Sequence, residues 1–235
     1  MSILAIDTSN QVLGVAILRE NQVIGEVVTN ITKNHSVRLM PAIDNLMKEV
    51  NIEPTQLEKI VVAKGPGSYT GVRIGLTTAK TLAWSLNIPI VGVSSLEVLA
   101  YQGRFFDSLV CPFFDARRGL VFTGLYEWID GKLALIVEET NILMEEWLTR
   151  LSESNKKILF LSPDIEKHRE LIREKLGDLA IIPEDTYHIA KPSHLALAGS
   201  YHGAEHTHSI APNYLRLAEA EANWLKNQEG NKTNG

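Results

Sequence analysis

The chain has 235 residues, 45% of them apolar, enough for one large domain or two small ones whose core needs no staples. Its 23 lysines and arginines against 28 acidic residues give a net charge of −5, which excludes the broad basic field that binds nucleic acid through counterion release. The single cysteine, Cys111, excludes an intramolecular disulfide; set in the apolar run from Leu109 to Phe114, it reads as a buried, inert thiol in a reducing compartment.

The amino terminus goes straight into Ile3-Leu4-Ala5-Ile6 with no basic region, and no apolar stretch approaches the roughly 18 residues of a membrane span, so a cytoplasmic protein is expected. Ile3 to Ile6, Val12 to Leu18 and Gln22 to Val28 read as three strands joined by the turns Asp7-Thr8-Ser9-Asn10 and Arg19-Glu20-Asn21. From Ser36 to Val50 the apolar residues Leu39, Met40, Ile43, Leu46, Met47 and Val50 recur at the spacing of one helical face, with Pro41 tolerated in the first turns. Lys59 to Ala63 is a short buried strand, Thr70 to Leu86 a second helix, Ile90 to Val93 a strand, and Ser95 to about Tyr101 a third helix. Hairpins open this sheet and crossovers complete it, the mixed order of a ribonuclease H-like unit.

Between the strand at Lys59 and the helix at Thr70 lies Lys64-Gly65-Pro66-Gly67-Ser68-Tyr69-Thr70-Gly71-Val72-Arg73-Ile74-Gly75. Gly65 and Gly67 allow positive φ or close approach, and Ser68 or Thr70 can cap the helix. The run is not a Walker A loop, because no Gly-Lys-Ser/Thr follows the second glycine. Two readings stand: an anion site at a helix N-terminus, or a tight turn whose glycines only permit close packing.

A second unit opens at Leu109, with strands near Leu109 to Phe114, Leu120 to Trp128, Leu133 to Val137 and Ile158 to Leu161, and helices near Ile142 to Ser152, Ile165 to Leu176 and Ser193 to Tyr201. It reads as a shortened copy of the first. The predicted division is a first lobe at 1–103, a second at 104–211, an amphipathic helix at about 212–226 that packs back on the first lobe, and a polar tail at 227–235.

Ile3-Leu4-Ala5-Ile6-Asp7-Thr8-Ser9 together with the glycine run resembles the TsaB (YeaZ) family of tRNA threonylcarbamoyladenosine biosynthesis proteins. His35-Ser36-Val37-Arg38-Leu39-Met40-Pro41, Asp115-Ala116-Arg117-Arg118 and Pro212-Asn213-Tyr214-Leu215-Arg216 follow in that family's order and spacing. The resemblance implies an α/β fold of two ribonuclease H-like lobes, of the actin/Hsp70/sugar-kinase type. It also implies a place in the machinery that puts threonylcarbamoyl on an adenosine of tRNAs reading codons that begin with A. The catalytic relative in that machinery, TsaD, holds a metal through two histidines four apart. In the matching segment, Val93 to Ala100, Ser95 and Leu99 stand at those positions, and leucine has no electron pair to give. The expectation is therefore a non-catalytic subunit with no metal and no cofactor. Its implied partners are TsaD and the P-loop ATPase TsaE; it forms a homodimer in isolation and meets tRNA only through the complex.

Asp7, Thr8 and Ser9 occupy the turn that holds phosphate and Mg²⁺ in the wider superfamily, and with Gly65, Gly67 and Ser68 they make a vestigial nucleotide-like site. Their plain use is to tighten a turn through side-chain to backbone bonds. The docking surface expected for TsaD is Leu39, Met40, Ile43 and Met47 on the first long helix with Val72, Gly75, Leu76, Ala79 and Lys80 on the second. Gly71 and Gly75, four apart, would let another helix come close; the plain alternative is that both stripes face only their own sheet. His202-Gly203-Ala204-Glu205-His206 matches a zinc-peptidase pattern, but Gly203 weakens the required helix and too little chain follows for a third ligand. It reads as a solvated helix end. Lys33, Arg73, Lys80, Arg117 and Arg118 read as scattered solvated charge, with Arg118 ion-paired to Asp115. The alternatives carried forward are a metal-dependent peptidase or transferase acting alone, and a small-molecule kinase.

Overall fold

The computed structural model describes residues 1–31 and 34–216. Lys33, the part of the amphipathic segment from 217 to 226 and the tail at 227–235 lie outside the described residues. The first sheet has the order β3-β2-β1-β4-β5, built from β1 (Ser2–Asp7), β2 (Val12–Arg19), β3 (Gln22–Asn30), β4 (Lys59–Ala63) and β5 (Ile90–Val93). β1 pairs antiparallel with β2, placing Ala5 opposite Ala16, and parallel with β4, placing Ala5 beside Val61. Every residue of β1 is buried, as befits a central strand covered on both faces.

One face, with Leu4, Ile6, Leu13, Val15, Ile17, Ile60 and Val62, carries α1 (His35–Glu49) and α2 (Tyr69–Leu86). The α1 cap is Asn34, whose side chain accepts from Ser36 N at 3.0 Å. Ser68 caps α2 by accepting from Gly71 N at 3.3 Å, and the helix ends on the left-handed Asn87, φ 54°. The alternate residues Ile3, Ala5, Ala16, Leu18, Val61 and Val91 form the opposite face and a second core. α3 (Ser95–Ala100) then leads into the second lobe.

The second sheet runs β10-β9-β6-β7-β8, from β6 (Leu109–Asp115), β7 (Leu120–Ile129), β8 (Lys132–Leu143), β9 (Ile158–Leu161) and the short β10 (Ala180–Ile181). β8 extends six residues beyond the predicted Val137, and the following helix begins at Met144 rather than Ile142. Ile142 and Leu143 stay paired with Val121 and Leu120, so the ladder outlasts the local helical pattern. β10 was not predicted; two residues give no periodicity to read. α4 (Met144–Ser152) and α5 (Ile165–Leu176) cover one face around Trp147, Phe113 and Phe160.

The predicted second lobe at 104–211 changes at its end. α6 (Pro192–Tyr201) packs Leu195, Ala196 and Ala198 on the open face of the first sheet. A Cβ on Gly199 would stand 2.4 Å from Val61 Cγ1, so glycine sets the close approach of helix to strand. Glu205 bridges Ile90 and Ile210 joins the core under α1 and α2, which returns residues 192–211 to the first lobe. The two lobes meet through Leu96, Leu99 and Ala100 against Val110, Phe114, Tyr126 and Leu159. The molecule is thus α/β, two lobes that are each built on a five-stranded mixed sheet with helices packed on it. Among the described residues no helix is long and apolar enough to cross a membrane.

Candidate functional site

The carboxyl ends of β1, β4 and β5 open on one side of the first sheet, where the second lobe faces them across a cleft. At this edge the glycine run meets the β1–β2 turn. A Cβ on Gly67 would lie 2.1 Å from Ser9 O, one on Gly71 2.2 Å from Thr8 O, and one on Gly75 2.5 Å from Thr8 Oγ1. The three glycines therefore admit the turn against α2. Ser68 N donates to Ser9 O at 2.7 Å and Thr8 Oγ1 donates to Gly71 O at 2.7 Å. Asp7, 4% exposed, accepts from Ser9 N at 2.8 Å and Ser9 Oγ at 2.7 Å. Burial raises its carboxyl above the usual range, against the two Ser9 bonds. Of the two readings of the glycine run, close packing accounts for these positions: the chain's own turn lies against the helix start. Gly65 has the positive φ, 93°, and Asn213 O lies 3.1 Å from where its Cβ would be.

Residues 212–216, the described part of the segment expected as a helix at about 212–226, form no helix and cross the cleft. Asn213 N donates to Lys64 O at 2.7 Å, and its side-chain amide donates to Glu139 Oε2 on β8 at 3.0 Å. Tyr214 stacks on Tyr69 with centroids 5.3 Å apart and accepts from Arg73 Nε at 2.7 Å. Arg216 reaches Ala116 O of the β6–β7 turn at 3.4 Å. This strap ties the glycine loop to β8 and to the β6–β7 turn of the second lobe and divides the cleft in two. The cavity on the β1 side, about 1080 Å³, lies between the α2 start and the turn at Ala116-Arg117-Arg118. The cavity on the β5 side, about 600 Å³, is floored by Glu139 and walled by Tyr101, Tyr126 and Trp128.

The surface expected to dock a partner lies mostly inside the molecule. Leu39, Ile43, Met47, Leu76 and Ala79 are buried under their own sheet, because each helix has one wide apolar stripe and the sheet takes it, and Val72 is buried beside the Gly65 turn. Gly75 is filled by Thr8. Lys80 is half-buried and donates to His208 O and Ile210 O at 3.2 and 3.1 Å, which removes it both from that surface and from a basic edge. Only Met40 of the nine is exposed, at 47%; the outward faces carry instead Val37 and Trp84, at 67% and 68%. Trp84 stands one turn beyond the residues read as a stripe, on a side that also bears Thr77 and Thr81, and its polar neighbours were the available signal.

Other readings also meet their geometry. Arg118 does not pair with Asp115; Lys167 does, at 2.9 Å, with His168 at 3.4 Å. Burial raises the Asp115 carboxyl, but the Lys167 ammonium outweighs it and leaves the group below its ordinary value. His202 caps α6 and meets Glu97 at 2.8 Å, which raises the imidazole, while Glu205 takes Lys64 at 3.0 Å in an extended segment. The histidine cluster is therefore no ligand helix, and among the described residues no three metal-binding side chains converge. Cys111 is fully buried and its thiol is pushed up to about 11. Glu139 and Tyr126 carried no signal in the sequence: Glu139 is the second of the adjacent pair Glu138-Glu139 and lies beyond the strand predicted to end at Val137.

Residues 22–224 match the family described as TsaD: tRNA N6-adenosine threonylcarbamoyltransferase. The Bacillus subtilis (strain 168) tRNA threonylcarbamoyladenosine biosynthesis protein TsaB is 53% identical over 229 residues, covering 97% of this chain and 100% of its own. The protein of that name from Escherichia coli (strain K12) is 32% identical over 164 residues, 63% of this chain and 70% of its own. Among solved structures, an uncharacterized protein with similarity to peptidase YEAZ from Pseudomonas aeruginosa superposes with a TM-score of 0.79 at 25% identity, covering 92% of this chain and 99% of that one. YeaZ from Pseudomonas aeruginosa gives 0.77 at 24% identity over 91% and 99%, a likeness of fold. Identity above one half, sustained from end to end of a relative, leads to one conclusion: the chain belongs to the TsaB (YeaZ) family of tRNA threonylcarbamoyladenosine biosynthesis proteins.

Proposed function

We propose that this protein serves tRNA threonylcarbamoyladenosine biosynthesis as a non-catalytic subunit that binds and activates the TsaD transferase. The observation that carries the reading is the end-to-end 53% identity with the Bacillus subtilis TsaB protein. The site chemistry supports it. Where the catalytic relative places two metal-binding histidines, Ser95 is buried and Leu99 packs, 0% exposed, in the apolar seam between the lobes. The same position thus serves cohesion in this chain.

Docking uses the outward faces of α1 and α2, where Val37, Met40 and Trp84 are exposed beside polar Thr77 and Thr81. In isolation these faces pair with a second copy, and TsaE and tRNA are reached through the assembled complex in the cytoplasm. The test is threonylcarbamoyladenosine formation from purified TsaD, TsaE, threonylcarbamoyl-adenylate, ATP and tRNA, with and without this protein. Product that requires both this chain and TsaD supports the reading. Product from this chain alone would replace it with an enzyme acting by itself, and yield independent of this chain would remove the activating role.

A further inference from the structure

The cavity on the β5 side of the strap has no part in the docking described above. It lies beyond the carboxyl ends of the parallel strands β4 and β5, the place where open α/β sheets take ligands. Its volume, about 600 Å³, is that of a small-molecule site. Residues of β5, α3, β7, β8 and α6 line it together with Lys64 and Asn213, so it is assembled by the tertiary fold.

Glu139 forms the floor, and among the described residues every hydrogen bond that its carboxylate accepts comes from a neutral donor. These are the Ser94 hydroxyl, the Tyr126 phenol at 2.5 Å and the Asn213 amide at 3.0 Å. A carboxylate offers about four lone-pair positions, so one remains. The inner cations are held elsewhere, Lys64 by Glu205 at 3.0 Å and His202 by Glu97 at 2.8 Å. Exposed Lys132 and Glu138, of opposite sign, line the rim. Burial pushes the Glu139 carboxyl above its ordinary range; the Ser94 and Tyr126 bonds oppose this, and Glu97, of like charge, adds to it. Among the described residues no cation lies within ion-pair distance of Glu139, so a half-buried carboxyl group faces an open cavity with no positive partner. The walls are aromatic, from Tyr101, Tyr126, Trp128 and Tyr201. This wall accepts a cation.

We propose that the cavity binds a small organic cation, an ammonium carried on an aromatic or apolar body, with the ammonium on Glu139 and the body against the tyrosine and tryptophan faces. Charge-assisted bonding and cation–π contact then act together. The proposal stands apart from the docking reading, and its test needs no partner protein.

The test is calorimetric titration of the whole chain at neutral pH with phenethylamine and with phenethyl alcohol, which has the same body without the charge. The amine should bind at a single site at least about tenfold more tightly than the alcohol. Glu139→Gln should bring the amine down to the level of the alcohol, and Tyr201→Ala, at a side chain 67% exposed, should weaken it several-fold. Should Glu139→Gln fail to fold, Leu135→Arg at the exposed rim supplies a competing cation, and the same loss is expected with an unchanged circular dichroism spectrum. Equal affinity for amine and alcohol, absence of saturable amine binding, or amine binding undiminished by a folded variant at the floor or rim would overturn the assignment.

Discussion

Met40 and Met47 stand seven residues apart on one stripe of α1, and replacing each by glutamate compares the exposed and the buried end of that stripe. Met40 is 47% exposed; Met47 is 7% exposed and packs in the core between the helices and the first sheet. Met47→Glu forfeits the burial of an apolar side chain, about 2 kcal/mol. Holding the new carboxyl neutral inside that core at pH 7 requires raising its pKa by about 3 units, about 4 kcal/mol more. The total, about 6 kcal/mol, is comparable with the whole stability of a typical domain, roughly 5–15 kcal/mol. At about 2–4 °C per kcal/mol for a chain of this size, Tm should fall by about 15 °C. Met40→Glu should change stability by less than about 0.5 kcal/mol. Urea unfolding followed by circular dichroism, at pH 7 and pH 5, measures both. Met47→Glu should recover part of its loss at the lower pH, where the carboxyl is more readily neutral. A Met47→Glu midpoint equal to that of the parent would refute the placement of this stripe against the sheet. Met40→Glu, folded, should lose TsaD in a pull-down if docking uses the outward face; retained binding would move the interface elsewhere.

Gly71→Ala puts a Cβ 2.2 Å from Thr8 O, a backbone atom that cannot swing aside, with the Ser68 side chain 3.3 Å away. A loss of about 3 kcal/mol is expected in chemical unfolding, whereas Gly203→Ala, with nothing within 4 Å, should be nearly silent; equal effects would show that the turn does not lie against α2. Burial lowers His194 from 6.5 to about 4. As pH falls from about 6.5 to about 4 the unfolded chain takes up a proton that the folded chain refuses, so stability should decline by about 3 kcal/mol over that window and level off below it. His194→Phe should remove this component from a pH series of urea midpoints, and an unchanged slope would contradict the burial. Tyr214→Ala deletes the stack on Tyr69 and the acceptor for Arg73. It should cost about 1–2 kcal/mol and speed hydrogen exchange at Asn213 N, while protection equal to the parent's would mean that the strap does not depend on this anchor.

Local chemistry determined much of this protein. The continuous apolar runs of β1 and β2, the cap at Ser68, and the helical spacing of α1, α2 and α5 are properties of neighbouring residues, and each element stands where that chemistry puts it. The lost metal positions at Ser95 and Leu99 and the family itself were equally legible, because they rest on residue identity in a fixed order. Which face an apolar stripe turns to was not. A helix sequence shows that it has an apolar side, but only the packed sheet showed that Met47, Leu76 and Ala79 are spent inside while Val37 and Trp84 stand outside. The same limit governed α6, whose small residues suit a close approach without naming the strand, Val61, that they approach. Asn213 and Glu139, or Tyr214 and Tyr69, are far apart in the chain and carry no mutual signal. Their meeting across the cleft depends on how the lobes close, and the strap, its two cavities and the carboxylate on the cavity floor exist only once the tertiary structure brings those distant groups within hydrogen-bonding distance.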